Sequence, residues 1–348
     1  MDSFKNAKVL VVGGAGFVGS TLVHDILTQD PNKIIVVDNL LSSDISNIPH
    51  DDRVEFVFGT ITNDLILQDL PEDLEYVFHL ACYHGNQSSI FNPIADHANN
   101  TLTTLKLFER LKSIKSIKKV VYAAAACAVA EKTYGDPTAT TEDQPISLYH
   151  DSPYSISKII GELYGNYYQE RHGLPFVKAR FSNVYGPREI LGAGQWRGTA
   201  HTVWRNVTPT FIWRSLHGEA LPLDNGGNTS RDFIFVGDMS RGLMACALRG
   251  EIGEVYNLAT GQETTILELA KVINELTGNT TPLDLKPARH WDRSGKRFAS
   301  TAKSWAELGF KAQIGVREGL KKTVSWTVEN RDYIASCIKK HEKLLKQT

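Results

Sequence analysis

Lys8-Val9-Leu10-Val11-Val12-Gly13-Gly14-Ala15-Gly16-Phe17-Val18-Gly19 is the stretch on which the fold turns. A short run that is apolar at every position reads as a strand buried on both faces. It ends in glycines spaced G-x-x-G-x-x-G at Gly13, Gly16 and Gly19, and Phe17 to Leu27 continues with helical spacing. A dinucleotide pyrophosphate needs such a turn: tight, with bare backbone close to the phosphates, and with a helix whose first N–H groups are unpaired. About twenty residues further on, a second apolar run, Lys33 to Val37, ends in Asp38. A carboxylate there accepts both ribose hydroxyls of an adenosine and repels a 2′-phosphate, which favours NAD over NADP. Asn39 and Leu40 follow and are placed beside the adenine. A tight βα turn and a solvated strand end are the plain alternatives for the glycines and for Asp38.

Working outward, the same alternation recurs. Val54 to Phe58, Glu75 to Leu80, Lys119 to Ala124 and Phe176 to Phe181 read as strands, and Thr101 to Leu111 and Tyr154 to Arg171 as helices. Continuously apolar strands alternating with helices predict an α/β fold, a Rossmann-type doubly wound parallel sheet. Past Gly186 the pattern changes. Residues 187–210 are rich in Gly, Trp, Arg and Thr without a period, and Asp232 to Val236, Val255 to Leu258 and Ile266 to Leu276 look like pieces of a smaller lobe. The expected division is residues 1–186, with returning segments near 232–260, against a C-terminal α/β substrate lobe over 187–348.

The bulk properties exclude several classes. In 348 residues, 38 Lys and Arg balance 39 Asp and Glu, which argues against a broad nucleic-acid or anionic-membrane surface. The longest unbroken apolar run, Val120 to Ala130, is too short to span a bilayer, and the N-terminus does not read as a signal peptide. Cys82, Cys127, Cys246 and Cys337 have no C-x-x-C spacing, so no metal site or disulfide framework is expected and a reducing cytoplasm is the expected compartment.

Tyr154-Ser155-Ile156-Ser157-Lys158 follows Pro153 at a helix start. Positions i and i+4 share a helix face. A phenol, with a pKa of about 10, is a poor base at neutral pH, and a nearby cation lowers that value. Such a tyrosine can take the proton of a sugar hydroxyl while hydride leaves the same carbon, and the lysine can also hold the nicotinamide ribose. A surface helix pair is the plain alternative.

Together these motifs resemble the extended short-chain dehydrogenase/reductase family, the nucleotide-sugar epimerases and dehydratases, over most of the chain. His79-Leu80-Ala81 looks like the strand end under the cofactor, and Asn100 like the family's helix-start asparagine. Arg180-Phe181-Ser182-Asn183-Val184-Tyr185-Gly186-Pro187 is similar to the segment whose asparagine, here Asn183, holds the nucleotide-sugar. Arg231-Asp232-Phe233-Ile234-Phe235-Val236-Gly237-Asp238 resembles the segment whose arginine, here Arg231, binds the diphosphate. The resemblance further implies that Arg289 contacts phosphate and Asp292 the nucleotide ribose; Arg297 is a further candidate, with a solvated or ion-paired side chain as the alternative. NAD as a bound cofactor, a nucleotide-diphosphate sugar as substrate and a homodimer built on the 154–171 and 95–112 helices are implied in the same way.

Two departures stand out. The family's Ser or Thr near the end of the fifth strand falls on Ala125 or Ala124, within Tyr122-Ala123-Ala124-Ala125-Ala126-Cys127. Either Tyr154 and Lys158 work without it, aided by Cys127, Thr133 or His84, or the alanines replace hydroxyl residues of a natural chain and impair turnover. The same run has no Asp or Glu, which dehydratases and decarboxylases need as an additional acid. The balance therefore points to C4 epimerisation through a transient 4-keto sugar. A 4,6-dehydratase, a decarboxylase, a reductase and a catalytically silent dinucleotide sensor are the competing readings. Second, residues 188–206 form a longer connection than expected. Trp196, Arg197, Trp204 and Arg205 could close over the sugar or stack a base, or pack on a neighbouring subunit. His84 is placed at the sugar, with a surface histidine as the alternative.

Overall fold

The computed structural model describes residues 3–126, 138–288 and 295–347. Its first half alternates β1 (Lys8–Val12), α1 (Phe17–Leu27), β2 (Lys33–Asp38), β3 (Val54–Phe58), α2 (Asp64–Gln68), β4 (Tyr76–His79), α3 (Asn86–Phe91), α4 (Pro93–Asp96), α5 (Thr103–Leu111), β5 (Lys119–Ala125), α6 (Pro153–His172) and β6 (Phe176–Phe181). The second half adds β7 (Asn183–Tyr185), α7 (Val207–Leu216), β8 (Pro222–Asp224), β9 (Ser230–Arg231), β10 (Phe233–Phe235), α8 (Val236–Arg249), β11 (Val255–Leu258), β12 (Thr264–Thr265), α9 (Ile266–Thr277), β13 (Asp284–Lys286), α10 (Ala302–Leu308), α11 (Val316–Glu329) and α12 (Arg331–Lys339).

The main sheet has seven strands in the order β3-β2-β1-β4-β5-β6-β11, and every pairing in it is parallel. Side-chain alternation explains why its strands are apolar throughout. Val9 and Val11 of β1 join one core with Leu22 and Ile26 of α1 and Met239 and Leu243 of α8. Leu10 and Val12 join the opposite core with Leu107 and Phe108 of α5. The strand order reverses between β1 and β4, which opens a crevice at their carboxyl ends. This is the doubly wound Rossmann-type sheet that the sequence predicts. A third core, with Phe211, Ile212, Leu221, Phe233, Leu269 and Leu320, sits in the second half of the chain.

Some elements differ from the sequence reading. The piece expected over 232–236 holds the short strand β10, and Val236–Arg249 is a helix returning to the main sheet; Met239, Leu243, Cys246 and Ala247 carried that helical period. β11 completes the sheet beside β6, and Leu308 and Phe310 also pack into its core. The helix expected from Thr101 begins as a π-helical turn over His97–Leu102. No helix of the described residues is long and apolar enough to cross a membrane.

Two glycines set the position of α6. A Cβ on Gly161 would lie 2.1 Å from the Tyr122 hydroxyl, and one on Gly165 would lie 1.9 Å from the Phe176 ring. The helix therefore rests on β5 and β6 at a distance that no larger residue permits. A buried ion pair fixes it further: Arg180 Nε and Nη2 donate to the two carboxylate oxygens of Glu162 at 3.0 and 2.9 Å. Gly165→Ala is expected to destabilise the fold by about 1–3 kcal/mol through overpacking against Phe176, measured as a shift of the denaturant midpoint.

Candidate functional site

The crevice continues as a cavity of about 830 Å³ that runs from the glycine turn to the second-half core. At one end lie Gly13, Gly16, Phe17, Val18 and Gly19. Gly13 has φ +86°, and a Cβ there would lie 2.5 Å from the Ala81 nitrogen; a Cβ on Gly19 would lie 2.2 Å from the Gly13 oxygen. Only glycine allows this crossing of turn, strand end and helix. No side chain caps α1, so its first N–H groups are open to an anion. Asp38 lines the cavity while accepting from Ala15 N at 3.0 Å, Leu40 N at 2.9 Å and Ser43 Oγ at 2.8 Å. It thus ties the glycine turn to the β2 end; burial pushes its carboxyl pKa up, against the pull of those donors. Asn39 lines the cavity, but Leu40 is outside the lining, where its neighbours Leu41, Ser42 and Ser43 stand.

The middle of the cavity holds Leu80, Ala81, Tyr154 and Lys158. Ser152 caps α6, its hydroxyl accepting from Ser155 N at 3.3 Å, and Pro153 occupies the first turn. The cap starts the helix one residue before Tyr154, and the helical period then brings Lys158 alongside. Lys158 is 4% exposed. Its ammonium donates to the Ala123 carbonyl at 2.8 Å and lies 5.8 Å from the centroid of the Tyr154 ring. A held cation beside the phenol favours the phenolate. Ala123, Ala124, Ala125 and Ala126 all face this part of the cavity, so β5 offers no hydroxyl there.

Asn100 is buried behind the wall rather than in it. Its Oδ1 accepts from Tyr83 N at 2.6 Å, and its Nδ2 donates to Asp96 at 2.7 Å and to Ser157 at 3.1 Å. Asn99, on the same π-helical turn, lines the cavity instead. The asparagine doublet was the available signal, but only the π turn decides which member faces in. Below it, Thr104 donates to the Asn100 carbonyl at 2.6 Å, and its oxygen faces His79 Nε2 at 2.9 Å.

The far end holds Asn183, exposed to the cavity, with Arg231 and Arg297. Arg231 Nη1 donates to the Ser230 and Gly295 carbonyls at 2.6 and 2.8 Å, while the Nε of Arg297 is buried without a partner. Arg289 and Asp292 lie outside the described residues, as do Cys127 and Thr133. Within 188–206, Trp204 and Arg205 line the cavity. Arg205 donates to the Thr202, Ser42 and Ala193 carbonyls, so its donors hold the loop rather than reach across the cleft; burial brings its pKa down to about 10. The Trp196 ring lies tilted against His341 with centroids 5.7 Å apart, and Arg197 lies over the Tyr83 ring at 5.2 Å, both away from the lining. His84 is in the lining, edge-on to Tyr154 with centroids 6.0 Å apart, and burial lowers its pKa. Glu189, Asn206 and Arg214 also line the cavity and were missed in the sequence. Asn206 had a legible signal as the residue before α7, whose Pro209 falls in the first turn.

Residues 9–259 match the model of the NAD dependent epimerase/dehydratase family. The chain belongs to that family. NAD is its cofactor, and the glycine crossing and uncapped α1 described above fit its pyrophosphate. Among relatives, a putative UDP-glucose 4-epimerase of Methanocaldococcus jannaschii is 33% identical over 331 residues, covering 92% of this chain and 99% of that one. Among solved structures, Bordetella bronchiseptica WbmF with NAD+, and with NAD+ and UDP, is 53% identical with a TM-score of 0.89 and 99% coverage of both chains. The Thermotoga maritima UDP-glucose 4-epimerase with UDP-glucose is 29% identical with a TM-score of 0.82, covering 93% of this chain and 99% of that one.

The main sheet carries a pH liability at β4. Burial holds the His79 imidazole down at about 3. The ring stays neutral in the fold while the unfolded chain takes up a proton below about 6.5, so stability is lost as pH falls from about 6.5 toward 3. The expected slope is up to about 1.4 kcal/mol per pH unit, measured as the midpoint of urea unfolding at pH 7, 6 and 5. His79→Gln is expected to flatten it.

Proposed function

We propose that this family member is a nucleotide-sugar epimerase that inverts C4 of a UDP-sugar through a transient 4-keto intermediate. The observation that carries the reading is the convergence of Tyr154 and Lys158 on the cavity between the glycine turn and the arginines of the far end. When bound, NAD supplies the acceptor and donor of hydride. Tyr154 takes the O4 proton as the carbonyl forms and returns it after the sugar presents its other face. Lys158, anchored on the Ala123 carbonyl, holds positive charge beside that phenol and lowers its pKa. Asn183, Arg231 and Arg297 are proposed to hold the sugar and diphosphate from the second lobe, with Arg289 and Asp292 completing the nucleotide contacts. At the other end, Gly13, Gly16, Phe17, Val18, Gly19, Asp38, Asn39, Leu80 and Ala81 are proposed to receive the dinucleotide, backed by Asn100, while Leu40 stands outside the cavity. The absence of a carboxylate in Ala123 to Ala126 supports inversion over 4,6-elimination or decarboxylation.

The test is a panel of UDP-, GDP-, CDP- and dTDP-sugars incubated with the protein without added cofactor and read by NMR of the sugar ring. Conversion of a UDP-sugar to its C4 epimer with no net change at the nicotinamide band is expected. Tyr154→Phe is expected to lower kcat by at least about 10²-fold.

A homodimer is proposed as the working form, in the cytoplasm. Ile94 is 76% exposed, Phe91 57%, Leu163 56%, Tyr167 55% and Ile156 46%, on α3, α4 and α6, a concentration of apolar surface that favours a second helix pair. Sedimentation is expected to give twice the chain mass, and Leu163→Arg to shift it toward the monomer.

A further inference from the structure

Beside Tyr154 the cavity carries a polar chain that the reaction above does not use. Asn206 Nδ2 donates to Glu189 Oε1, and Asn206 Oδ1 faces His84 Nε2 at 3.1 Å. All three side chains line the cavity. Chemistry fixes their roles. Burial pushes the Glu189 carboxyl pKa up, while the Asn206 amide, His84 and Arg205 pull it down; held as a carboxylate it only accepts, so the amide turns its nitrogen to Glu189 and its oxygen to the imidazole. That oxygen also only accepts, so His84 Nε2 carries the ring proton and Nδ1 keeps a lone pair. Nδ1 has no hydrogen-bond partner among the described residues. The ring is edge-on to Tyr154, and Arg197 Nη1 anchors its backbone by donating to the His84 carbonyl at 2.9 Å.

A sugar held at one hydroxyl by Tyr154 can pivot about that bond. β5, with alanine from 123 to 126, provides no second hydroxyl to stop it. We propose that His84 supplies the second point: its Nδ1 accepts a hydrogen bond from a sugar hydroxyl next to the reacting carbon, and Glu189, acting through Asn206, is the positioning residue that keeps the lone pair there. The inference rests on the nucleotide-sugar reading and deepens it. It assigns the site a pyranosyl nucleotide with a free donor hydroxyl beside the reacting carbon.

The groups facing His84 set its pH behaviour. Tyr154 approaches from α6, and Asn206, Glu189, Arg197 and Arg205 from the 189–206 connection. Burial and the two arginines favour the neutral ring, while Glu189 and the Asn206 contact favour the charged one. A protonated ring has no lone pair to offer, so sugar binding is lost on the acid side. Removing the Glu189 charge moves that acid limb to lower pH.

The experiment is titration calorimetry on the NAD-loaded protein with UDP and with UDP-glucose, UDP-galactose, UDP-N-acetylglucosamine and UDP-glucuronate, alongside kcat/KM. His84→Phe keeps a ring but no acceptor. It is expected to bind UDP as the wild type does, and the tightest of the four UDP-sugars roughly 10- to 100-fold more weakly, with a matching fall in kcat/KM. His84→Asn, which restores an acceptor near Nδ1, is expected to recover part of that loss. Glu189→Gln is expected to weaken the UDP-sugar but not UDP and to move the acid limb downward. Unchanged UDP-sugar binding in His84→Phe overturns the inference, and a loss of turnover in Tyr154→Phe then leaves the epimerase reading standing. Equal weakening of UDP and UDP-sugar by His84→Phe marks a structural histidine and also overturns it. A Glu189→Gln protein identical to the wild type in both readouts removes the positioning role, and a sugar that adds nothing to the affinity of UDP removes the contact altogether.

Discussion

The molecule depends on how closely α6 lies on the sheet. Side chains on one face of that helix do two jobs along its length. Near its start Tyr154 and Lys158 turn into the cavity, and further on Gly161 and Gly165 give up their side chains so that Tyr122 and Phe176 can fill the space. The Lys158 ammonium reaches the Ala123 carbonyl because the glycines bring the helix down. The Glu162–Arg180 pair then resists sliding along β6, since a buried pair is costly to break at either partner. Packing and the placement of the Lys158 charge are thus one constraint here, and a change in helix height would be felt first as a displaced charge.

A second consequence concerns Asp38. Its carboxylate closes three local hydrogen bonds while still facing the cavity. The residue that the sequence marks for ribose recognition therefore also shapes the turn that receives phosphate. Substitutions there change the turn geometry as well as the carboxylate that faces the cavity, which complicates any reading of it as a simple NAD-versus-NADP switch.

Much of this was legible because it is local. Apolar runs gave the strands of the main sheet, the glycine spacing gave the phosphate turn, and i,i+4 geometry paired Tyr154 with Lys158. What stayed hidden depends on a helical irregularity or on contacts across the chain. The π turn at His97–Leu102 puts Asn99 in the wall and Asn100 behind it, a distinction that no propensity carries. Arg205 looked like a ligand-facing cation, yet the loop it sits in spends its donors on backbone carbonyls. Glu189, Asn206 and His84 meet only after the long connection folds back over the α3 side of the crevice, and Glu189 carried no motif of its own.

The path of the chain between the two halves has a practical outcome for protein engineering. It leaves the sheet at β7, returns through α8 and β11, leaves again for α9 and comes back at α10. The far end of the cavity is therefore not contained in one excisable module. A chimera between relatives would have to exchange the stretches around 183–231 and 260–298 together while sparing 236–258, because a single cut-and-join would carry sheet-forming residues along with the pocket.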